Sequence, residues 1–458
     1  MQVKPSGDVS RPNSKQPPFL QSYQAVIERL DLIAVLAALV STVQFLTMYR
    51  LRKGDFLNSY PFISDDGFDW VTQGLALKQF ITGVDTSAWP VLRHPIFVFV
   101  TFIDSVLNSS GAFILLIQSL AVGGVVYSVG WLARRLSYSA TSIFAISTCI
   151  WLHNFSYFRL WILADTLAVA FMTGSACLMI ASRLPSGNVR HLNYSAGLAL
   201  LAGLTQTYGL IPFVVMATVL ILLDWARKRS LFVTPELTWL MVIFLVWTTA
   251  QSIWIGLIPH IDRPANFALI HASLGMINFY LNVWAVAFGV FVPLAVLSVK
   301  RRFDASIPAT DIETATAAAV AAFAFVTLLY QWPDARFTYI YIPLAVALLL
   351  LLATPGAEGA DDLADLRVSM TCFAAAAFGA LAIPGEGYWQ PTVRHTQIDW
   401  QRSWPGIALA AAPLDRFSLE KECNDGTSWC AKASVSQSAN SPYVYRMMSN
   451  YRRRKGLE

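Results

Sequence analysis

Ser64-Asp65-Asp66-Gly67-Phe68-Asp69-Trp70 stands just beyond the first strongly apolar segment of the chain, residues 31–49. Two adjacent carboxylates are out of keeping with that neighbourhood, because desolvating even one at the rim of a bilayer is costly. Such a pair is kept by water or by a chemical task. The stretch is therefore read as part of a loop that leaves the membrane, and the apolar segments on either side of it as spans.

Composition agrees. Of 458 residues, 55% are hydrophobic and 13% charged, with a mean hydropathy of +0.51. A soluble domain carries roughly 25% charged residues, so about half the usual charge is present and a polytopic membrane protein is indicated. The net charge of +5 is spread over loops, which is not the footprint of a nucleic-acid partner. Residues 1–30 are polar and hold Pro12, Pro17 and Pro18. They lack the apolar core of a cleavable signal, so 31–49 is expected to be the first span. Cys149, Cys177 and Cys372 lie in apolar stretches and read as core thiols.

Apolar runs near 20 residues mark about eleven candidate spans: 31–49, 111–132, 139–155, 160–182, 195–206, 208–225, 237–258, 270–299, 313–331, 337–353 and 367–384. The stretch 195–225 is flanked by Arg190 and by Arg227-Lys228-Arg229. Basic residues favour the cytoplasm at both ends, so an even number of passes is needed. Thr205-Gln206-Thr207-Tyr208-Gly209, with Pro212, supplies the break, and two short helices are expected. Arg134-Arg135, Arg183, Arg190, Arg227, Lys300-Arg301-Arg302 and Arg367 then share one face. That asymmetry puts the N-terminus in the cytoplasm and the region after Pro384 outside, against the local signal of Arg50, Arg52 and Lys53. The chain divides into a cytoplasmic segment 1–30, a membrane domain 31–384 with a long outer loop 50–110, and an outer tail 385–458.

Within the first loop, Ser64 or Asp66 can cap a helix running to about Phe80, and carboxylates in its first turn suit the helix dipole. Asp65 and Asp69 fall on one face, so the acids can converge. Phe68, Trp70, Val71, Leu75 and Phe80 supply the apolar side of a helix lying along the interface. A plain capping cluster fits these residues as well as a reactive one. Trp89-Pro90-Val91-Leu92-Arg93-His94-Pro95 then brings a cation and an imidazole to the start of a second helix, 96–107, too short to span. Arg93 and His94 fit either a phosphate ligand or lipid head groups. Asp104 is expected on the polar face of that helix.

The order of span, acidic juxtamembrane helix, His-Pro loop, second juxtamembrane helix and further spans resembles the GT-C superfamily of integral-membrane glycosyltransferases. The N-terminal half is most similar to the protein O-mannosyltransferases and lipid A aminoarabinose transferases. The likeness covers about residues 30–260 and rests on short motifs; Asp69 and the tail depart from it. It implies an all-α GT-C-like fold whose first outer loop is the catalytic centre, here Asp65 and Asp66. It also implies a polyprenyl-phosphate sugar donor, an acceptor hydroxyl on a glycan, lipid or protein, and an active site on the outer side of a plasma or inner membrane. A lipid or solute transporter is the alternative. A divalent cation on Asp65, Asp66 and Asp69 is open, since clustered carboxylates offer oxygen ligands.

Other outward ionisable groups join the candidates. Asp165 lies inside the edge of a span, where an acid is a functional candidate by default. It is six residues from Arg159 and does not share its helix face, so pairing with another helix is the competing reading. The resemblance, which places a second acid at this junction, favours a site role. Arg336 opens a late span in Gln331-Trp332-Pro333-Asp334-Ala335-Arg336-Phe337. Its fork suits phosphate, and an interfacial anchor is the plainer reading; GT-C enzymes are similar in using a late-span arginine for the lipid phosphate.

In the tail, Cys423 and Cys430 bracket a short loop, and outside the cytoplasm a disulfide is favoured over two thiols. Thiol labelling of intact and permeabilised cells tests both topology and bridge. Cys430 should label only after reduction and from the outside. Labelling from the cytoplasmic side without reductant overturns both expectations.

Overall fold

The computed structural model describes residues 32, 34–39, 42–43, 70, 73–74, 77–83, 94–109, 111–138, 140–158, 164–185, 187–228, 234–257, 281, 284, 288–305, 309–329, 336–354 and 367–376. Among them are helices and turns and no strand. The helices with defined bounds are α1 (Pro95–Leu107), α2 (Ala112–Arg135), α3 (Ala140–Phe158), α4 (Asp165–Ser182) and α5 (Val189–Thr205). After a 3₁₀ turn, Thr207–Leu210, come α6 (Ile211–Lys228), α7 (Pro235–Leu257), α8 (Val292–Ala305), α9 (Asp311–Leu329) and α10 (Arg336–Leu352). Residues 34–39, 77–81 and 367–376 are helical as well.

Among the described residues, five stretches are long and apolar enough to cross a membrane: Ala112–Arg135, Asp165–Ser182, Thr207–Arg227, Pro235–Trp254 and Asp311–Leu328. Ser142–Trp151 and Phe337–Leu352 are shorter apolar pieces. The expected eleven spans are thus not all accounted for, and 31–49, 270–299 and 367–384 are described only in part. One expectation is amended. The second half of 195–225 is not a short helix, because the 3₁₀ turn adds its length to α6 and the apolar run reaches 21 residues.

From α2 to α10 the helices alternate in direction, which collects Arg183, Arg227 and Arg301 with their partners at one end. There Arg183 pairs with Glu236 at the start of α7 and lies 3.9 Å from Asp224 on α6. Arg227 forks onto Asp311 at the start of α9. Arg301 donates to the Ala353 carbonyl after α10, and the Tyr138 hydroxyl reaches the Leu350 carbonyl at 2.8 Å. Glu236 is buried, and a buried carboxylate needs such a partner. Exposed pairs such as Arg227–Asp311 add little to stability; their ends fix which helix termini meet.

At the centre stands α4, buried along nearly all its length. Gly174 lets α4 come up to Leu198 of α5, and small residues are what let helix backbones approach in lipid. Polar glue adds to this. Ser175 donates to the Ser195 carbonyl at 2.9 Å and Ser195 returns to the Ser175 carbonyl at 2.7 Å. Each such bond contributes about 0.6 kcal/mol in a membrane. Cys149, Cys177 and Cys372 are buried thiols, as the sequence indicates. By contrast α7 turns Met241, Phe244 and Leu245 outward, as a lipid-facing helix does.

At the end away from the arginines, the first-loop helix packs across α1. Trp70 is buried edge-on against Phe97, with centroids 5.1 Å apart. The Thr101 hydroxyl donates to the Trp70 carbonyl at 2.9 Å, and Lys78 Nζ to the Ser105 carbonyl at 2.8 Å. Asp104 corrects the expectation of a polar-face residue. It is fully buried and accepts from the amides of Gly111 at 2.9 Å and Phe113 at 3.2 Å and from the Ser109 hydroxyl. A carboxylate that takes the orphan donors of the α2 N-terminus is a cap, stabilised there by the dipole. Its sequence distance from α2 hid that role.

The crossing of the first-loop helix over α1 needs a glycine. A Cβ on Gly74 would lie 2.4 Å from Thr101 Oγ1 and 2.5 Å from the Phe102 nitrogen. Gly74→Ala is expected to cost about 1–3 kcal/mol, the range for overpacking. Thermal unfolding in detergent checks this, and an unchanged midpoint would show that the two helices are not in contact.

Candidate functional site

His94 ends the first loop, in extended backbone before Pro95, whose fixed φ suits the first position of α1. Its imidazole sits between two distant elements. Nε2 lies 3.0 Å from the Thr207 hydroxyl in the 3₁₀ turn, and Nδ1 lies 2.9 Å from the side-chain nitrogen of Gln251 on α7. With the Gln251 amide donating to Nδ1, Nε2–H is left to donate to Thr207. Phe99 and Trp254, with centroids 6.0 Å apart, carry the same α1–α7 contact further.

The next residue of the turn serves the next candidate. The Tyr208 hydroxyl donates to Oδ1 of Asp165, the first residue of α4. Asp165 is 5% exposed. The reading in which Asp165 pairs with another element is thus met, with an aromatic hydroxyl among its partners. Tyr208 in turn meets Phe323 of α9 edge-on at 6.3 Å, and Phe323 stacks on Tyr341 of α10 at 5.8 Å. Arg336 is the first residue of α10, so its backbone begins at this same end.

The local chain explains why a turn sits here. A Cβ on Gly203 would strike Leu210 at 2.4 Å, and one on Gly209 would come within 2.7 Å of the Ala202 backbone. The break folds back on α5 at a spacing only glycine permits. Its freed backbone groups are satisfied: the Gln206 amide donates to the Ala202 carbonyl at 2.8 Å, and the Trp247 indole donates to the Gly203 carbonyl at 3.2 Å. Backbone that leaves a helix and packs against protein requires such partners.

Of the residues singled out from the sequence, His94 and Asp165 are brought to one turn, and Arg336 to the same end of the bundle. Asp65, Asp66, Asp69, Arg93, Arg159, Cys423 and Cys430 lie outside the described residues. Trp70, next to Asp69, is held against α1. Among the described residues no three His, Cys, Asp or Glu side chains gather in a way that could hold a metal ion. Thr207, Tyr208 and Gln251 were not marked in the sequence. The signal was there for the first two in the polar break, and for Gln251 in a lone amide within an apolar span.

No protein-family model matches the chain, and no curated protein matches it. Two solved structures are similar to it in fold. Both are of ArnT from Cupriavidus metallidurans, a GT-C aminoarabinose transferase, one bound to undecaprenyl phosphate and one in the apo state. Identity is 14%, with TM-scores of 0.47 and 0.48. The match covers 69% of this chain and 59% of theirs, so the chain spans well under two thirds of those proteins.

Replacing Gly209 tests the turn itself. Gly209→Ala should displace the turn from α5 and lower the thermal midpoint, at a cost of about 1–3 kcal/mol. Gly197→Ala, where a Cβ meets nothing within 4 Å, is the control and should leave the midpoint at or above that of the wild type.

Proposed function

We propose that the protein is a membrane glycosyltransferase that moves a sugar from a polyprenyl-phosphate donor to an acceptor hydroxyl on the extracytoplasmic side. The observation that carries this reading is the meeting of His94 and Asp165, far apart in sequence, on adjacent residues of one turn, at the end of the bundle opposite the arginines. The arginine-rich end takes the cytoplasm by charge asymmetry, which turns the polar end outward with the N-terminus inside. Nucleotide sugars stay in the cytoplasm, so an outward site calls for a lipid-linked donor.

Transfer needs a base for the acceptor hydroxyl, a cation for the departing phosphate and an apolar surface for the prenyl chain. Asp65 or Asp66 serves as the base, a contribution of about 10²–10⁴ in rate, with Asp69 as a further acid of the same loop and Asp165 as a buried acid beneath the turn. Arg336, aided by Arg93, meets the phosphate, where a guanidinium fork gives directed bonds as charge develops. Arg159 stands at the same junction as Asp165. Direct displacement inverts the anomeric carbon. A divalent cation on Asp65, Asp66 and Asp69 would add positive charge beside the phosphate. The lipid-facing surface of α7 suits a membrane-borne donor. A transporter would place its polar groups in broken helices near the bilayer midplane, whereas here the break lies at the helix ends.

Purified protein in detergent, given radiolabelled prenyl-phosphate sugars, tests the reading. Transfer should disappear in Asp66→Asn and fall steeply in Asp65→Asn, with thermal midpoints near the wild type. Arg336→Ala should lower turnover more than donor affinity, and Arg336→Lys should recover part of it. Full activity in both asparagine variants removes the acid pair from the chemistry.

A further inference from the structure

We infer that Thr207, Tyr208 and Gln251 form a positioning device: a four-residue turn and one amide that hold the end of the first loop, at His94, in fixed relation to Asp165. The kinetic part of this inference rests on the proposed transfer; the geometric part does not.

Several polar ties inside the bundle are sealed from solvent. Ser175, Ser195 and Asp104 are each no more than 2% exposed. The His94 trio differs, since Thr207 is exposed and His94 and Gln251 are half-buried. Water competes for such bonds, so each adds little to stability. What the trio does add is direction. Two bonds from unlike partners, one on a turn and one on a helix, fix both the place and the rotation of a ring that a single bond would leave free to swing.

Adjacency does the rest. Thr207 and Tyr208 are neighbours in a 3₁₀ turn, whose tight pitch leaves little slack between them. One faces His94 and the other Asp165, so any shift of the turn moves both contacts together. The turn cannot drift, because Gly209 is pressed on the Ala202 backbone. The first-loop helix joins the same frame where Trp70 and Gly74 pack against α1, whose first residue follows His94. The end of the first loop is thereby set against a span that begins with Asp165, with no covalent link between them shorter than the chain itself.

The test uses the full-length protein in detergent with Thr207→Val and Gln251→Leu, which keep size and remove the bonds, and Thr207→Ser, which keeps the hydroxyl. Two readouts separate the possibilities. First, carbethoxylation of His94 by diethylpyrocarbonate, followed by peptide mass spectrometry, reports whether the ring nitrogens are engaged and needs no enzymatic activity. The rate should rise several-fold in Thr207→Val and in Gln251→Leu and stay near the wild type in Thr207→Ser. Second, kcat for transfer should fall roughly tenfold in the first two, the effect of about 1.4 kcal/mol, with KM for the donor within about twofold and near-wild-type kinetics in Thr207→Ser. An unchanged carbethoxylation rate in both Thr207→Val and Gln251→Leu overturns the device. So does a raised KM at unchanged kcat, which would make the trio a donor-binding surface. Should the wild type transfer no sugar, the proposed function fails while carbethoxylation still decides the inference.

Discussion

A chain that leaves the α-helix inside an apolar environment must find partners for every amide and carbonyl it releases. The passage from α5 to α6 is built on that constraint. Gly203 and Gly209 let the turn lie directly on α5, where the Ala202 carbonyl accepts from the Gln206 amide and the Trp247 indole donates to the Gly203 carbonyl. With the backbone satisfied by itself and by one indole, the side chains of Thr207 and Tyr208 are released from structural duty. They are the ones that reach His94 and Asp165. A regular helix through 205–211 would offer no such pair, because neighbours in an α-helix point about 100° apart around an axis and not across to two other helices.

The two ends of the bundle solve different problems. At the basic end, long charged side chains knit helix termini by pairing, as Arg183 does with Glu236. At the other end the contacts are short: a hydroxyl, an amide, an imidazole and a carboxylate, set among aromatic rings from Tyr208 to Tyr341. Long flexible cations tolerate imprecise helix ends. Short polar groups do not, and they demand the glycine-tight packing found there.

Much of this was legible in the residues. Apolar runs marked the helices, and Thr205-Gln206-Thr207-Tyr208-Gly209 marked the break, because turn-forming and polar residues in an apolar run have no other use. Pro95 announced the start of α1. Less legible was anything that depends on which helix lies beside which. Asp104 looked like a surface acid because its partners belong to the next helix, and only the close turn after α1 folds the carboxylate under them. Tyr208 and Gln251 carry no local pattern that names their partners, since contacts over such separations are set by packing and not by period. The acid pair itself, Asp65 and Asp66, is read from sequence alone.

The lipid-facing character of α7 has a mechanical side. Few of its residues are buried against protein, with Phe244 and Leu245 about two thirds exposed, and its hold on the bundle includes the bonds of Glu236 to Arg183 and of Trp247 to Gly203. Yet this helix delivers Gln251 to the imidazole. A helix in lipid can change its inclination with the thickness of the hydrocarbon layer, and a change of inclination moves its ends most. The bond from Gln251 to His94, close to one end of α7, therefore resists such tilting with a long lever arm.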